Sequence, residues 1–280
     1  KLGPFRGTGC GAMTTTSKSD PGTGKQGQGA PTLADMLRRF RRDSLARELR
    51  TDWAVALLYR VPSLVLVRLL LPTGVSPTAV TLAGLLLVVA MPVAALAFSV
   101  WWAALAVGLL GIVFQIIDCV DGGLARATGR SSRLGAVVDY LVDMAQWGAL
   151  YVSTGIVADR VIAAIEGGEP GLAWTLVGLG AAWTRLLARV VRDAVPAEQD
   201  AKAAPLPRLT AGGTIVALFA GLSGAIAPMV LAGALWGGLP GVLVFLFVYA
   251  LADVADALVA TLAAARRQES GRDGVGDAPK

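Results

Sequence analysis

The sequence predicts an all-α integral membrane protein, in which amphipathic interfacial helices precede a bundle of six transmembrane helices. Hydrophobic residues make up 55% of the 280 residues, charged residues only 16%, and the mean hydropathy is +0.62. Soluble domains are about 25% charged, so this composition indicates a membrane protein. A helix needs about 20 apolar residues to cross the hydrocarbon. Six stretches approach that length, at 79–99, 101–118, 135–157, 171–191, 213–235 and 239–262.

The segments that flank the bundle have a different composition. Residues 1–31 are rich in Gly, Ser, Thr and Lys, so we expect a disordered tail. We expect amphipathic interfacial helices over residues 32–72. The first places apolar side chains among Arg38, Arg39, Arg41 and Arg42, a pattern typical of helices on an anionic membrane surface, with a solvated helix as the alternative. The second is apolar but interrupted by Arg60 and Arg68. A seventh span at 53–72 is the alternative, and it would place the N-terminus outside. The bundle is predicted over 73–265, followed by a disordered cytoplasmic tail at 266–280.

The charges of the loops predict the orientation of the bundle. Basic residues occur in the 119–134 and 192–212 loops and at the start of the tail, whereas the 158–170 loop is mainly acidic. Basic loops stay on the cytoplasmic side of membranes. We therefore expect a multi-pass protein of a bacterial plasma membrane, with the 119–134 stretch facing the cytoplasm.

Four aspartates interrupt the apolar sequence: Asp118, Asp121, Asp139 and Asp143. Each charge placed in a membrane costs about 3 kcal/mol on insertion scales. The first two are three residues apart and the last two are four apart, so each pair shares a helix face where like charges repel. Arg126 is the one basic residue close enough in the motif to pair with them. A bound divalent cation, or two, is the simplest remedy.

The residue types limit the identity of this cation. The chain has no histidine and only two cysteines, Cys10 and Cys119, so a zinc site with ordinary nitrogen and sulfur ligands is not expected. Carboxylate oxygens favour hard cations. We therefore expect Mg²⁺ or Mn²⁺, as one ion or two.

The residues beside the first two aspartates indicate a ligand. Helical spacing places Asp118, Asp121, Gly122, Ala125 and Arg126 near one face. The small residues allow close approach and an arginine binds phosphate oxygens, so this face suits a nucleotide diphosphate. Helix packing is the alternative role for the small residues, and a structural ion pair is the alternative for the arginine.

This pattern resembles a known family. Eight positions over 26 residues match the CDP-alcohol phosphotransferase (CDP-alcohol phosphatidyltransferase) motif: Asp118-x-x-Asp121-Gly122-x-x-Ala125-Arg126, then Gly135-x-x-x-Asp139-x-x-x-Asp143. Residues 76–81 also resemble the family's Pro-Asn-x-x-Thr sequence at its first helix, with Thr78 where asparagine is usual. The resemblance covers about residues 50–262.

The resemblance implies a reaction and roles for these residues. The family moves a substituted phosphate from a CDP-linked donor to an acceptor alcohol and releases CMP, in members that are usually homodimers. The implied metal ligands are Asp118, Asp121, Asp139 and also Asp143, which is the implied general base. The implied donor-binding residues are Gly122, Ala125, Arg126, Gly135 and Thr81.

The acceptor alcohol is less closely defined by the resemblance. Many branches that use a phosphorylated acceptor have a basic residue after the last aspartate, where this chain has Met144. Three arginines elsewhere could bind an acceptor: Arg185, Arg189 and Arg208. Snorkelling and positive-inside anchoring are the alternatives for them. Asp253 and Asp256 could pair with Arg185 or Arg189 or face the acceptor, and we favour the pair.

The sequence thus predicts a phospholipid-synthesising transferase that uses CDP-diacylglycerol. One alternative is a family member with a CDP-linked polar headgroup or polyol as donor. A divalent cation transporter is a remote alternative, because its carboxylates would be spread through the membrane and would not lie beside an arginine. The expected partners are the donor, an acceptor alcohol, membrane lipids and a second copy of the chain, without nucleic acid.

Overall fold

The described part of the protein is built from helices. The computed structural model describes residues 32–194 and 211–273, with side chains described outside 211–220 and 267–273. Three short helices come first, α1 (Leu33–Asp43), α2 (Leu45–Thr51) and α3 (Arg60–Leu70). Longer helices follow: α4 (Pro77–Ala97), α5 (Val100–Thr128), α6 (Arg133–Glu166), α7 (Ala173–Asp193), α8 (Ala211–Trp236) and α9 (Leu239–Asp273). No strand occurs in these ranges, so the all-α prediction is confirmed.

Five segments of the described chain are long and apolar enough to cross a membrane. They are Val55–Thr73, α4, α5, α6 and the Leu239–Arg266 part of α9. In α8 only Gly221–Trp236 is described with side chains, and this piece is shorter. Helix α7 does not qualify, since three arginines and an aspartate lower the hydropathy of its second half. The integral membrane class is confirmed, while the count of six spans stays a prediction.

One predicted apolar stretch and one predicted tail differ in extent from the helices of the structure. Helix α5 continues past the apolar stretch that ends at residue 118 and includes Arg126, as the helical spacing of the motif predicted; it ends at Thr128, and Gly129 follows with a φ of 66°. Glycine adopts this left-handed conformation readily, so it ends the helix without strain. At the other end of the chain, α9 runs to Asp273 because the residues after 265 favour helix, so the predicted tail at 266–280 is helical at first. The predicted tail at 1–31 lies outside the described residues.

The described residues form two compact units. The first comprises the residues up to 90, 108–146 and 211–228, and it contains the acidic motif. The second comprises 91–107, 147–194 and the residues from 229. Helices α4, α5, α6 and α8 contribute residues to both units.

In the first unit, α3 packs on α4 and α5. Val67 lies in a core with Val80, Val120 and Leu124. A Cβ atom added to Gly123 would come within 2.8 Å of Val67 Cγ2, so this position requires a glycine. Gly123, the small residue next to Gly122, therefore serves helix packing.

Residues at both ends of α3 contact, or lie near, charged residues close to the C-terminal end of α5. Arg60 donates to Glu48 at 2.6 Å, and Arg126 lies within electrostatic range of both. At the other flank, Arg130 donates to the Gly74 carbonyl at 3.3 Å. The segment Val55–Thr73 between these contacts is helical throughout, and it is long and apolar enough to span a membrane. The interfacial placement of residues 32–72 and the seventh span therefore both stay predictions.

In the second unit, α6 and α7 approach until their backbones touch. A Cβ atom at Gly155 or at Gly178 would clash with backbone atoms of the facing helix. Small residues allow such close packing in membranes. The buried Asp159 carboxylate accepts the backbone N–H groups of Trp174 and Thr175 at 3.0 and 2.8 Å and so caps α7.

Candidate active site

Helix α5 supplies the first pair of aspartates, and Asp121 is held in place by neighbouring groups. Its side chain is 4% exposed and accepts a hydrogen bond of 2.6 Å from the Thr81 hydroxyl on α4. The Gly122 N–H also donates to it. Asp118 lies one turn earlier and is partly buried. Thr81 was predicted to bind the donor, and in the structure it contacts an aspartate.

Helix α6 brings the second pair of aspartates to the first. Carboxylate oxygens of Asp118, Asp121 and Asp139 all lie within 4.8 Å of one another. The buried Asp143 is within hydrogen-bonding reach of Asp118. The structure therefore brings together all four aspartates that the sequence singled out.

These carboxylates fit a divalent cation. Three negative groups this close repel one another strongly in surroundings of low polarity, and a cation held between them offsets that repulsion. All the donor atoms are carboxylate oxygens, which suit Mg²⁺ or Mn²⁺. Asp143 is not part of the three-residue group, although it touches Asp118.

A cleft of about 170 Å³ lies beside the carboxylates. Its lining combines the four aspartates and Thr81 with apolar or small residues of three helices, namely Gly84, Phe114, Ile117 and Val142. This space is narrow and includes open solvent, with no room for a water-sized sphere between the side chains. The larger part of any nucleotide ligand must bind outside it.

The other residues predicted to bind a nucleotide continue along α5 and onto α6. Gly122 and Ala125 are partly buried, and Arg126 is exposed. Gly135 lies in the first turn of α6, where its N–H donates to the Ser132 hydroxyl at 2.9 Å. A Cβ atom at Gly135 would lie 3.3 Å from the Thr78 hydroxyl oxygen, so glycine lets α6 begin close to α4.

Two of the arginines proposed for the acceptor form ion pairs in the second unit. The buried Arg185 donates to Asp253 at 2.6 Å and stacks on the rings of Trp147 and Tyr249. Arg189 pairs with Asp193 at 3.1 Å. The favoured pairing of Asp253 with an arginine is confirmed, and Arg208 lies outside the described residues.

The sequence interpretation missed the second partner of Asp253. Arg192 donates to Asp253 at 2.5 Å and to Asp256 at 3.2 Å. Arg185, Arg189 and Arg192 follow the i, i+4, i+7 spacing of one helix face, and the two aspartates are three apart on α9. This shared spacing could have indicated an interhelical ion-pair network.

A stability measurement can separate the structural role of Arg185 from acceptor binding. Asp253→Leu is expected to destabilise the protein by about 3 kcal/mol, because it leaves the buried Arg185 without its carboxylate partner. The double variant Arg185→Met, Asp253→Leu should recover most of the loss, since no charge is then left uncompensated. The midpoint of thermal unfolding in detergent tests both. A double variant as unstable as the single one would contradict a structural pair.

The fold and the site together define a class: an integral membrane protein with a cluster of carboxylates suited to a divalent cation. Comparison with known families narrows this class. The family model of CDP-alcohol phosphatidyltransferase matches residues 74–244, and the chain belongs to this family. No curated protein matches the chain.

Membership confirms the resemblance found in the sequence and gives the type of chemistry. The family consists of membrane transferases that move a phosphatidyl group in reactions of CDP-alcohols and use a divalent metal. The matched segment contains all eight positions of the motif. The protein is therefore a transferase of this type.

Proposed function

We propose that the protein transfers the phosphatidyl group of CDP-diacylglycerol to an acceptor alcohol and releases CMP, in phospholipid biosynthesis. The observation that carries this proposal is the carboxylate cluster of Asp118, Asp121 and Asp139 in a chain of this family. Asp118 and Asp121 precede Arg126 on the same helix by about two turns and about one and a half turns. An exposed arginine beside a cation site suits a diphosphate, because it adds positive charge where phosphate oxygens bind.

Asp118, Asp121 and Asp139 would hold the divalent cations, for which we propose Mg²⁺ or Mn²⁺ and two ions. When bound, the ions would neutralise the diphosphate and stabilise the CMP leaving group. Thr81 fixes the Asp121 carboxylate through its 2.6 Å hydrogen bond and so orients a ligand atom. We therefore assign Thr81 a positioning role.

Asp143 is suited to accept the proton of the acceptor alcohol. It lines the cleft but stands apart from the three grouped carboxylates. In the proposed step the acceptor oxygen bonds to the phosphorus that carries the diacylglycerol. The bond from this phosphorus to the bridging oxygen breaks, CMP leaves with the electron pair, and the acceptor proton moves to Asp143.

Gly122, Ala125, Arg126 and Gly135 are proposed to bind the CDP part of the donor. Arg126 would contact the diphosphate, and the small residues would leave space for cytidine beyond the cleft. A CDP-linked polar headgroup as donor is the second candidate, since these residues contact only the part common to all CDP-alcohols.

Transfer and its dependence on metal can be tested in one assay. Purified protein is incubated with CDP-diacylglycerol and a panel of alcohols, and CMP release is followed. We expect release to require Mg²⁺ or Mn²⁺ and to stop with a chelator, because four clustered carboxylates bind the diphosphate poorly without cations. Restoring the metal should restore the rate. Full activity after exhaustive chelation would contradict the proposed metal site.

The site is proposed to face the cytoplasm of a bacterial plasma membrane, in a homodimer. A cysteine introduced as Ser131→Cys, in a Cys10→Ser, Cys119→Ser background, should react with an impermeant thiol reagent only from the cytoplasmic side. Ser131 is exposed in the short segment between α5 and α6, so the reagent can reach it. Labelling of intact cells from outside would overturn this orientation and favour a seventh span.

A further inference from the structure

Gln146 on α6 is a buried polar side chain whose burial the hydrogen bonds of the described residues do not explain. It is 1% exposed, and neither its amide oxygen nor its amide nitrogen has a hydrogen-bond partner among the described residues. Buried amides are nearly always hydrogen-bonded, because the bonds to water that they lose must be replaced. A group that enters the site only during the reaction would supply the missing bonds.

The position of Gln146 connects it to the reaction. It lies three residues after Asp143 and four after Val142, which both line the cleft. These spacings place all three on one face of α6, with Gln146 about 4.5 Å further along the axis than Asp143. Gln146 does not itself line the cleft, so a molecule whose hydroxyl reaches Asp143 would meet Gln146 by extending about one helical turn further along α6.

The hydrogen-bonding groups of the Gln146 side chain favour an uncharged ligand group over a phosphate. A glutamine offers both donors and an acceptor, and a hydroxyl group also donates and accepts. A phosphate group only accepts and is better matched by arginine or lysine. Met144, next to Asp143, is not basic, and Arg185 is already ion-paired with Asp253.

We propose that Gln146 is a specificity-determining residue that binds a second hydroxyl group of the acceptor, and that the acceptor is a neutral polyol. The inference rests on the proposed transfer to an alcohol and adds the class of that alcohol. Asp143 takes the proton of the reacting hydroxyl, and Gln146 holds a neighbouring one.

The first test compares matched acceptors with CDP-diacylglycerol as donor. The pairs are glycerol with glycerol 3-phosphate, and inositol with inositol 1-phosphate. We expect CMP release to be faster with the neutral member of a pair. Preference for a phosphorylated member, or use of neither pair by a protein that transfers to other alcohols, would overturn the proposal.

The second test uses Gln146→Met, which keeps the volume and removes the hydrogen-bonding atoms. The KM for the preferred polyol should rise about tenfold or more, because a site built to bind a hydroxyl loses its partner. Binding of CDP-diacylglycerol should not change. The unfolding midpoint should stay level or rise, since an unpaired buried amide has been removed. Ser153→Ala is the matched control: it removes from α6, two turns further on, a buried hydroxyl that has no hydrogen-bond partner in the described part of the chain, and it should leave the KM unchanged.

The possible results of these tests distinguish a failure of the role proposed for Gln146 from a failure of the proposed transfer reaction. An unchanged KM in Gln146→Met would overturn the role of Gln146 alone. A clear drop in the unfolding midpoint with an unchanged KM would show that Gln146 has an internal partner outside the described residues. Absence of CMP release from the wild-type protein with every acceptor would overturn the proposed function and this inference together.

Discussion

Replacing either Asp121 or Asp139 by asparagine is expected to abolish CMP release while the protein still inserts and purifies. Both carboxylates belong to the group whose oxygens lie within 4.8 Å, so each variant removes a negative ligand from the proposed cation site. Metal stabilisation of transferring phosphates supplies several kcal/mol. A loss of about 4 kcal/mol corresponds to a rate about a thousandfold lower.

The same variants should unfold at higher temperature than the wild-type protein when no metal is present. The wild-type cluster holds like charges close together, and asparagine removes one of them; at position 121 it also keeps an oxygen that can accept the Thr81 hydrogen bond. Higher stability with lost activity would separate a metal ligand from a structural residue. Excess Mg²⁺ should cancel the difference, because it stabilises only the protein that binds it.

Asp256→Asn is a suitable control for these variants. Asp256 is also an aspartate on a long helix, but its side chain is 76% exposed and its partner is Arg192, at 3.2 Å. Its replacement should leave the rate and the unfolding midpoint nearly unchanged. Near-normal rates in Asp121→Asn and Asp139→Asn would contradict the assignment of the metal ligands.

The aspartate cluster could be predicted from the sequence because two physical rules act on it together. Charges in apolar segments require compensation, and helical spacing determines which of them share a face. Asp118, Asp121, Asp139 and Asp143 meet in the structure as those rules predicted. The apolar stretches likewise predicted the positions of α4 to α9 to within a few residues at most ends.

Other features depended on information that single helices do not carry. The apolar stretch 101–118 is shorter than α5, because hydropathy falls at Asp118 although the residues up to Thr128 still favour helix. Thr81 was assigned to the ligand because nothing in α4 alone reveals its contact with Asp121. The unpaired state of Gln146 is likewise a property of the packed protein.

Asp143→Asn is expected to lower the rate of CMP release by about 10²- to 10⁴-fold, the usual contribution of a general base. Asp143 lies about 6 Å further along the axis of α6 than Asp139. It is 8% exposed and lines the cleft, so it can reach an acceptor hydroxyl without being one of the three grouped carboxylates. Its loss should therefore reduce turnover far more than binding of the donor.

Asp118→Asn should have the opposite pattern, because Asp118 is one of the proposed ligands of the cation that holds the diphosphate. Donor binding should weaken in Asp118→Asn, whereas Asp143→Asn should keep much of the wild-type affinity through Asp118, Asp121 and Asp139. The decisive measurement is Mg²⁺-dependent binding of CDP-diacylglycerol to the two purified variants, alongside their rates. If both lose binding equally, Asp143 acts chiefly as a metal ligand, and another residue must take the proton of the acceptor.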